Sequence, residues 1–103
     1  KHPCTLWAGQ TVENYIWLWK LGIALCKEYT YRYEKIHACE RVLAILRSPP
    51  ILLKERGVTK HPQAMPDEYK CSDPIQAYHD YYINEKARIC SWKKRETPPF
   101  MAL

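Results

Sequence analysis

The sequence predicts an all-α fold, a small single-domain helical bundle of 103 residues. Three observations support this class. Apolar residues recur at steps of three and four over long stretches, helix-start signals precede those stretches, and no convincing strand is present. The apolar fraction of 47% and the charged fraction of 26% are ordinary for a globular protein, which argues against disorder.

The first elements are a short helix and a long one. A helix over Pro3–Ala8 would carry proline in its first turn, and Gly9 is expected to end it. Thr11 is expected to cap a long helix that runs to about Tyr33, with Asn14 completing a loose capping box.

The long helix has apolar residues on both sides. Its expected core face consists of Val12, Tyr15, Ile16, Trp19, Ile23, Cys26, Tyr29 and Tyr33. The opposite face is also apolar in its middle part, through Trp17, Leu18, Leu21, Ala24 and Leu25. We therefore expect this middle part to be covered nearly all round.

A second main helix is expected over about residues 36–47, stopped by the sequence Ser-Pro-Pro at 48–50. Its apolar face would be formed by Val42, Leu43 and Leu46. A long Pro-rich loop over 51–73 should then separate the second and third main helices, with anchors at Ile51, Leu52, Leu53 and Met65. Within it, residues 63–70 are either the lip of a pocket or a structural strap.

The third main helix is expected over residues 74–89, because Asp73 followed by Pro74 is a strong start signal. Its buried side would be marked by Ile75, Tyr78, Tyr81, Tyr82 and Ile89. Trp92 and the segment from Pro98 to Phe100 are expected to pack back on the body.

Charge and cysteine content narrow the class of protein. The net charge is +5, and residues 1–60 hold ten Lys and Arg against five Glu. This balance favours an anionic partner, nucleic acid first and a nucleotide second, unless it only keeps the protein soluble. Five cysteines without a CxxC motif indicate a reduced, cytoplasmic protein. The apolar stretch 16–26 is too short for a membrane span, so no membrane partner is expected.

Neither a cofactor nor a catalytic motif is evident. The pairs His2 with Cys4 and His37 with Cys39 have poor spacing for structural zinc, so no metal is expected. Two segments that mix rings and cations, residues 29–35 and 78–95, are better candidates for a binding site. Cations bind phosphate, and aromatic rings stack on unstacked bases. The candidate binding residues are Tyr29, Arg32, Lys35, His37, Tyr82, Lys86, Trp92, Lys93 and Lys94. Alternatively, the tyrosines belong to the core and the cations to a solvated face.

Four segments carry a family resemblance: HPCTLWAGQTVENYIWLWKLGIALCKEYTYRYEKIH, QAMPDEYK, DPIQAYHDYYINEKARICSWKKR and the closing Pro-Phe. They resemble the phage and bacterial pyrimidine-dimer DNA glycosylases, also described as endonuclease-V-like. The resemblance implies an all-α enzyme that flips a base and attacks the sugar with an amine. It also implies that residues 1–103 are the C-terminal part of a longer chain whose upstream segment holds the catalytic groups.

The resemblance carries over marker residues at His2, Trp7, Asn14, Tyr29, Arg32, His37, Tyr82, Lys86 and Trp92. Of these, Trp7 is expected in the core and Asn14 as a buried polar residue. The first functional hypothesis is a DNA glycosylase or lyase acting on damaged or modified bases in a bacterial or phage-infected cell. The alternative is a non-enzymatic phage protein that sequesters a small nucleotide, with a pocket at an oligomer interface. A helical interaction module is the third possibility.

Overall fold

A computed structural model describes residues 2–50 and 53–102. Helix makes up 58% of the structure, and the described residues contain four α-helices and no strand, which confirms the all-α prediction. The helices are α1 (Pro3–Ala8), α2 (Val12–Tyr33), α3 (Cys39–Ile45) and α4 (Pro74–Tyr81). In this part of the chain, no helix combines the length and apolarity needed to cross a bilayer.

Two compact units divide the chain, Lys1–Thr59 and Lys60–Leu103. The first contains α1, α2 and α3, and the second contains α4. The single helical domain expected over 1–103 stays a prediction.

The junction between α1 and α2 follows the sequence signals closely. Gly9 ends α1, and the Thr11 hydroxyl accepts a hydrogen bond from the Asn14 backbone N–H at 2.9 Å, which caps α2. The capping box is only half formed, however. The side chain of Asn14 does not return to Thr11 but turns inward, because Trp7 and Thr59 offer it partners there.

Asn14 is the most deeply buried polar residue of the first unit, at 0% exposure. Its amide nitrogen donates to the Trp7 carbonyl and to the Thr59 hydroxyl, both at 2.9 Å. Its amide oxygen accepts from the Thr59 N–H at 2.9 Å. Trp7, itself 4% exposed, donates its indole N–H to the Thr59 carbonyl at 3.2 Å. The expected places of Trp7 in the core and of Asn14 as a buried polar residue are confirmed.

A segment that we call the strap, residues 54–59, crosses the start of α2. It forms a single parallel bridge in which Val12 N–H donates to the Lys54 carbonyl at 2.8 Å. Gly57 has φ of 77°, a conformation that favours glycine, and so can direct both of its backbone groups towards the helix. Its N–H donates to Glu13 at 2.6 Å, and its carbonyl accepts from Thr11 at 2.9 Å.

α2 also packs against α3. Gly22 permits a close approach, since a Cβ at this position would lie 3.1 Å from a methyl group of Leu43. The Trp19 indole N–H donates to the Leu43 carbonyl at 2.7 Å, and the Tyr15 hydroxyl donates to the Leu46 carbonyl at 2.8 Å. These bonds satisfy carbonyls at the end of α3 that have no partner within the helix.

The second main helix is shorter than the predicted 36–47. Glu34 adopts the left-handed conformation, φ 56°, and ends α2. The chain then stays non-helical until Cys39, whose backbone N–H donates to His37 Nδ1 at 3.0 Å. Of the predicted apolar face, Leu43 is half-buried, whereas Val42 and Leu46 are 46% and 45% exposed.

The prediction that the middle of α2 is covered nearly all round is wrong. Leu21 and Leu25 are 39% and 60% exposed, and Trp17 is 40% exposed although it meets Trp7 edge to face. The reason is the short length of the covering segments. α1 and the strap reach only the first turns of α2, around Asn14, and α3 packs through Gly22 but leaves an open groove at Leu25.

In the second unit, Asp73 caps α4 through a hydrogen bond from the Ile75 N–H at 3.0 Å, as expected from the Asp-Pro signal. The helix does not continue regularly to residue 89. It passes into a π-helical turn, Tyr82–Lys86, and a 3₁₀ turn, Ala87–Ile89. Phe100 stacks on His79 with ring centroids 3.9 Å apart, so the chain end does pack back within this unit.

The predicted buried side of this helix needs correction. Ile75, Tyr82 and Ile89 are 64%, 40% and 68% exposed, whereas Ala77 is completely buried. The change of helix type after α4 alters the angle between successive residues, so a 3.6-residue period extrapolated to Tyr82 and Ile89 no longer describes the packed face. Ile75 lies in the first turn of α4, and the change of helix type does not explain its exposure. The packed side includes Tyr78, whose hydroxyl donates to the Pro62 carbonyl at 2.9 Å.

Of the predicted loop anchors, Met65 is buried and Leu53 is half-buried. The anchors at Ile51 and Leu52 lie outside the described residues. Residues 63–70 contain a short 3₁₀ turn, Asp67–Tyr69. Gln63 holds the two ends of this segment together by donating to the Cys71 carbonyl and accepting from its N–H. These two hydrogen bonds favour the structural alternative for residues 63–70 over the lip of a pocket.

We expect Asn14→Ala to lower the free energy of unfolding by about 2–4 kcal/mol, because the Trp7 carbonyl and the Thr59 N–H would lose their buried partner. Chemical denaturation measures this change. Asn84→Ala is the matched control, since Asn84 is exposed and donates only to the Asp80 carbonyl one turn away. The control should stay within about 0.5 kcal/mol of the unmodified chain. Equal effects of the two substitutions would contradict the assigned role of Asn14.

Candidate functional site

Three rings meet at the C-terminal end of α2, and we call Tyr29, Tyr33 and His37 the ring cluster. Tyr29 and Tyr33 are one helical turn apart, with centroids separated by 5.0 Å. The left-handed residue Glu34 then reverses the chain, which brings His37 edge to face against Tyr29 at 4.9 Å. Tyr29 and His37 are half-buried and Tyr33 is 44% exposed, so the cluster is open to a ligand on one side.

The orientation of His37 is set by its hydrogen bond to the backbone. Its Nδ1 accepts from the Cys39 N–H at 3.0 Å, so in the neutral ring the proton resides on Nε2. An Nε2–H group can donate to a carbonyl, a ring nitrogen or a phosphate oxygen. His37 therefore offers a ring edge and a donor at the same place.

A groove between α2 and α3 lies directly beside the ring cluster. Its volume is about 540 Å³, within the range of small-molecule sites. It is lined by Gly22, Leu25, Cys26, Tyr29, His37, Cys39, Val42 and Leu43. The lining is mostly apolar, with Tyr29 and His37 as its ring-bearing members, which suits a flat, weakly polar ligand.

His37 also borders a second hollow, of about 570 Å³, on the outer side of α3. Arg41 and Glu40 lie in the same hollow, together with small and apolar residues. Arg41 is exposed and follows His37 by four residues. The second hollow therefore places a guanidinium close to the ring cluster.

The predicted cations of this region, Arg32 and Lys35, differ in their surroundings. Arg32 forms an ion pair with Glu28, Nε to Oε2 at 2.7 Å, one turn away on α2. Lys35 follows the end of α2 and is exposed. The Glu28 carboxylate offsets part of the Arg32 charge, so Lys35 is the more available of the two for a phosphate.

Two cysteines line the groove with contrasting environments. Cys26 is 5% exposed, and burial, followed by the charges of Glu40 and Cys39, raises the pKa of its thiol. Cys39 is exposed. Among the described residues, no group of three or more His, Cys, Asp or Glu is arranged to hold a metal ion.

The two His-x-Cys pairs have a local structural function. His2 Nδ1 accepts from the Cys4 N–H at 3.0 Å at the start of α1, as His37 does for Cys39 at the start of α3. In both pairs the imidazole satisfies a backbone N–H that the helix itself leaves without a partner. The two-residue spacing is therefore explained by helix capping.

In the second unit, Tyr82 and Lys86 belong to a cluster centred on Tyr81. The Lys86 ammonium lies 5.3 Å from the centroid of the Tyr81 ring, a cation–π distance. The Tyr82 ring meets the Tyr81 ring edge to face, with centroids 6.3 Å apart. The Tyr69 ring is tilted against the Tyr81 ring, with centroids 5.5 Å apart. Tyr82 and Lys86 are the first and last residues of the π-helical turn, and both are among the binding residues predicted from the sequence.

Tyr69 and Glu85 complete this second cluster. The Tyr69 hydroxyl donates to Glu85 Oε1 at 2.7 Å. This hydrogen bond, then burial, then the charges of Glu85 and neighbouring groups raise the pKa of Tyr69 to about 12. The carboxylate favours the protonated phenol because ionisation would place two negative charges side by side.

The remaining predicted residues, Trp92, Lys93 and Lys94, lie in a turn. The Trp92 carbonyl accepts from the Arg95 N–H at 3.0 Å, and Lys94 is left-handed with φ of 61°. Trp92 is half-buried, whereas Lys93 and Lys94 are exposed. This turn presents two ammonium groups next to an aromatic ring.

The structure groups the predicted residues into two sets, one per unit. The Tyr29 ring contacts the His37 ring in the first unit. In the second unit, Tyr82 and Lys86 both contact the Tyr81 ring. The sequence placed Tyr33 in the same segment of rings and cations as Tyr29, but the list of candidate binding residues left out both Tyr33 and Arg41. It also omitted Tyr69 and Glu85, whose pairing across 16 residues of irregular chain leaves no periodic signature.

We expect Tyr69 to be the phenol with the raised pKa, about 12, and Glu85→Gln to bring that pKa back towards 10. The substitution removes the negative charge and leaves only an amide oxygen as acceptor, which is weaker than a carboxylate. NMR titration of ring-labelled tyrosine follows each phenol separately, with Tyr69→Phe assigning the signal. Because the folded-state pKa is raised, the stabilising effect is complete below pH 10 and is lost as the pH rises through 12. An unchanged Tyr69 pKa in Glu85→Gln would contradict this origin.

Both clusters combine rings with nearby cations, yet their chemistry differs. In the second, the polar groups of Tyr69, Glu85 and Lys86 already contact one another or a neighbouring ring. In the ring cluster, His37 retains a donor and the adjoining groove has room for a ligand. The ring cluster is therefore the stronger candidate site. Comparisons with protein-family models, curated proteins and solved structures give no match for this chain.

Proposed function

We propose that this chain binds DNA and accepts an unstacked base at the ring cluster. The observation that carries this proposal is the gathering of Tyr29, Tyr33 and His37 beside an open groove of about 540 Å³. An aromatic face contributes about 1–3 kcal/mol per stacked base. The Nε2–H of His37 adds a donor for the edge of the base or for a phosphate oxygen.

Phosphates next to the bound base would meet positive charge. Lys35 is exposed just after α2, and Arg41 lies in the hollow that His37 also borders. The net charge of +5 also favours a negatively charged partner. Lysine and arginine bind the phosphate backbone through charge and counterion release, so the affinity should depend on salt.

Glycosylase or lyase chemistry on a damaged or modified base is the finer proposal, and it depends on the family resemblance. In that chemistry an amine forms a Schiff base with the sugar after the base is flipped out of the duplex. The groups of the ring cluster are suited to holding the flipped base.

We expect Tyr29→Ala to weaken the binding of a single-stranded DNA oligonucleotide roughly tenfold or more, because a stacking surface is lost. Fluorescence anisotropy at two salt concentrations measures the affinity. Tyr31→Ala is the matched control, since Tyr31 is a 48% exposed tyrosine on the same helix, about 200° away from Tyr29. It should bind within about twofold of the unmodified chain, and circular dichroism verifies that both variants fold.

The proposal fails if the unmodified chain has no salt-sensitive affinity for DNA, or if both variants bind equally well. Borohydride reduction during incubation of the full-length protein with damaged DNA tests the finer proposal, because the resemblance implies a catalytic amine upstream of these residues. A trapped covalent adduct would support lyase chemistry by such an amine. Binding without an adduct would leave a DNA-binding function for residues 1–103.

A second candidate function is sequestration of a small nucleotide. The groove favours it, because about 540 Å³ lies within the range of small-molecule sites and Tyr29 and His37 line it. The base would lie along the apolar lining, and the phosphates would reach towards Lys35. In this reading the protein binds the nucleotide without altering it.

For this candidate we expect a nucleotide to slow alkylation of Cys39, which is exposed and lines the groove. Mass spectrometry measures the rate of modification with and without each nucleotide. Cys71 is the internal control, since it is exposed but lies in the other unit. Calorimetric titration should give saturable heat with the same nucleotide. Unchanged Cys39 modification together with no heat would remove this candidate.

A further inference from the structure

A third cavity, which two cations line, lies at the opposite end of α2 from the ring cluster. Its volume is about 430 Å³. It is lined by Gly9, Gln10, Thr11, Leu53, Lys54, Arg56 and Thr59. Apart from Gly9 and Leu53, all of these residues have polar side chains, and two of them are positively charged. This composition suits a phosphate group.

The charges of Lys54 and Arg56 are available to a ligand. Both residues are exposed, and within ranges 2–50 and 53–102 neither forms an ion pair. The nearby carboxylate of Glu13 accepts the Gly57 N–H at 2.6 Å. Glu55, between the two cations, does not line the cavity.

The backbone that carries these cations is fixed at both ends. The Lys54 carbonyl accepts from the Val12 N–H, and Thr59 is held by the buried amide of Asn14. Between them, Gly57 is bonded through both its N–H and its carbonyl. A site on a fixed backbone loses less conformational entropy when a ligand binds.

α3 runs along α2 from the groove beside the ring cluster, which Cys39 lines, to the first turn of α2, where the Tyr15 hydroxyl donates to the Leu46 carbonyl. Thr11 and Tyr29 are 18 residues apart, which corresponds to about five helical turns and about 27 Å. Between the two sites lies α3, and Arg41 within it and Arg47 just beyond its end are both exposed. Positive side chains therefore continue from one site towards the other.

We propose that the cavity at Lys54 and Arg56 binds a backbone phosphate of the same nucleic acid whose base occupies the ring cluster, with the strand crossing α3. This inference rests on the proposed DNA-binding function and names its ligand class as a polynucleotide. A separation of about 27 Å corresponds to about eight nucleotides at the spacing of a stacked strand. A mononucleotide or trinucleotide is too short to reach both sites.

The test compares single-stranded DNA of about 12 nucleotides with a trinucleotide, using the double variant Lys54→Gln/Arg56→Gln. We expect the longer strand to bind on the order of tenfold more weakly, and its salt slope to fall by about 0.7 for one lost phosphate contact. Affinity for the trinucleotide should stay within about twofold. The control is Lys20→Gln/Lys27→Gln, which removes the same charge from exposed positions about 180° and 200° around α2 from Tyr29.

Two results would overturn the inference while leaving DNA binding intact. One is an equal loss of affinity in both double variants, which would show only a net-charge effect. The other is unchanged binding of the longer strand by Lys54→Gln/Arg56→Gln, with Tyr29→Ala still weakening it. Failure of the unmodified chain to bind either oligonucleotide would overturn the proposed function and this inference together.

Discussion

The side-chain amide of Asn14 connects three segments of the first unit at one buried point. α1 is only six residues long, the strap has almost no regular structure, and α2 begins beside both. One buried amide donates to the Trp7 carbonyl and exchanges hydrogen bonds with Thr59. An apolar side chain of similar size would fill the same space but leave those backbone groups without partners, so the chemistry of the amide matters more than its volume.

The position of α3 explains why the ring cluster is accessible. α3 packs on the middle of α2 through Gly22, and the groove between the two helices reaches Tyr29. The rings of Tyr29 and Tyr33 therefore project beyond the region that α3 covers fully. The left-handed residue Glu34 sets how soon the chain turns back after α2.

Local signals in the sequence were sufficient for much of the fold. The caps at Thr11 and Asp73 were identified because each acts on backbone groups a few residues away. Burial was predicted less well, since the exposure of Leu25 depends on how far other segments extend. The ring cluster was partly predictable, through the helical position of Tyr29, whereas the return of His37 depends on one backbone conformation that composition does not determine.

The hydrogen bond between His37 and the first residue of α3 links ligand contact to helix formation. A ligand that accepts from Nε2–H would increase the electron density at Nδ1 and make it a better acceptor for the Cys39 N–H. The two hydrogen bonds of the imidazole would then strengthen each other. Occupancy of the ring cluster and order in the first turn of α3 are thus thermodynamically coupled, so this short helix would itself report that the site is filled.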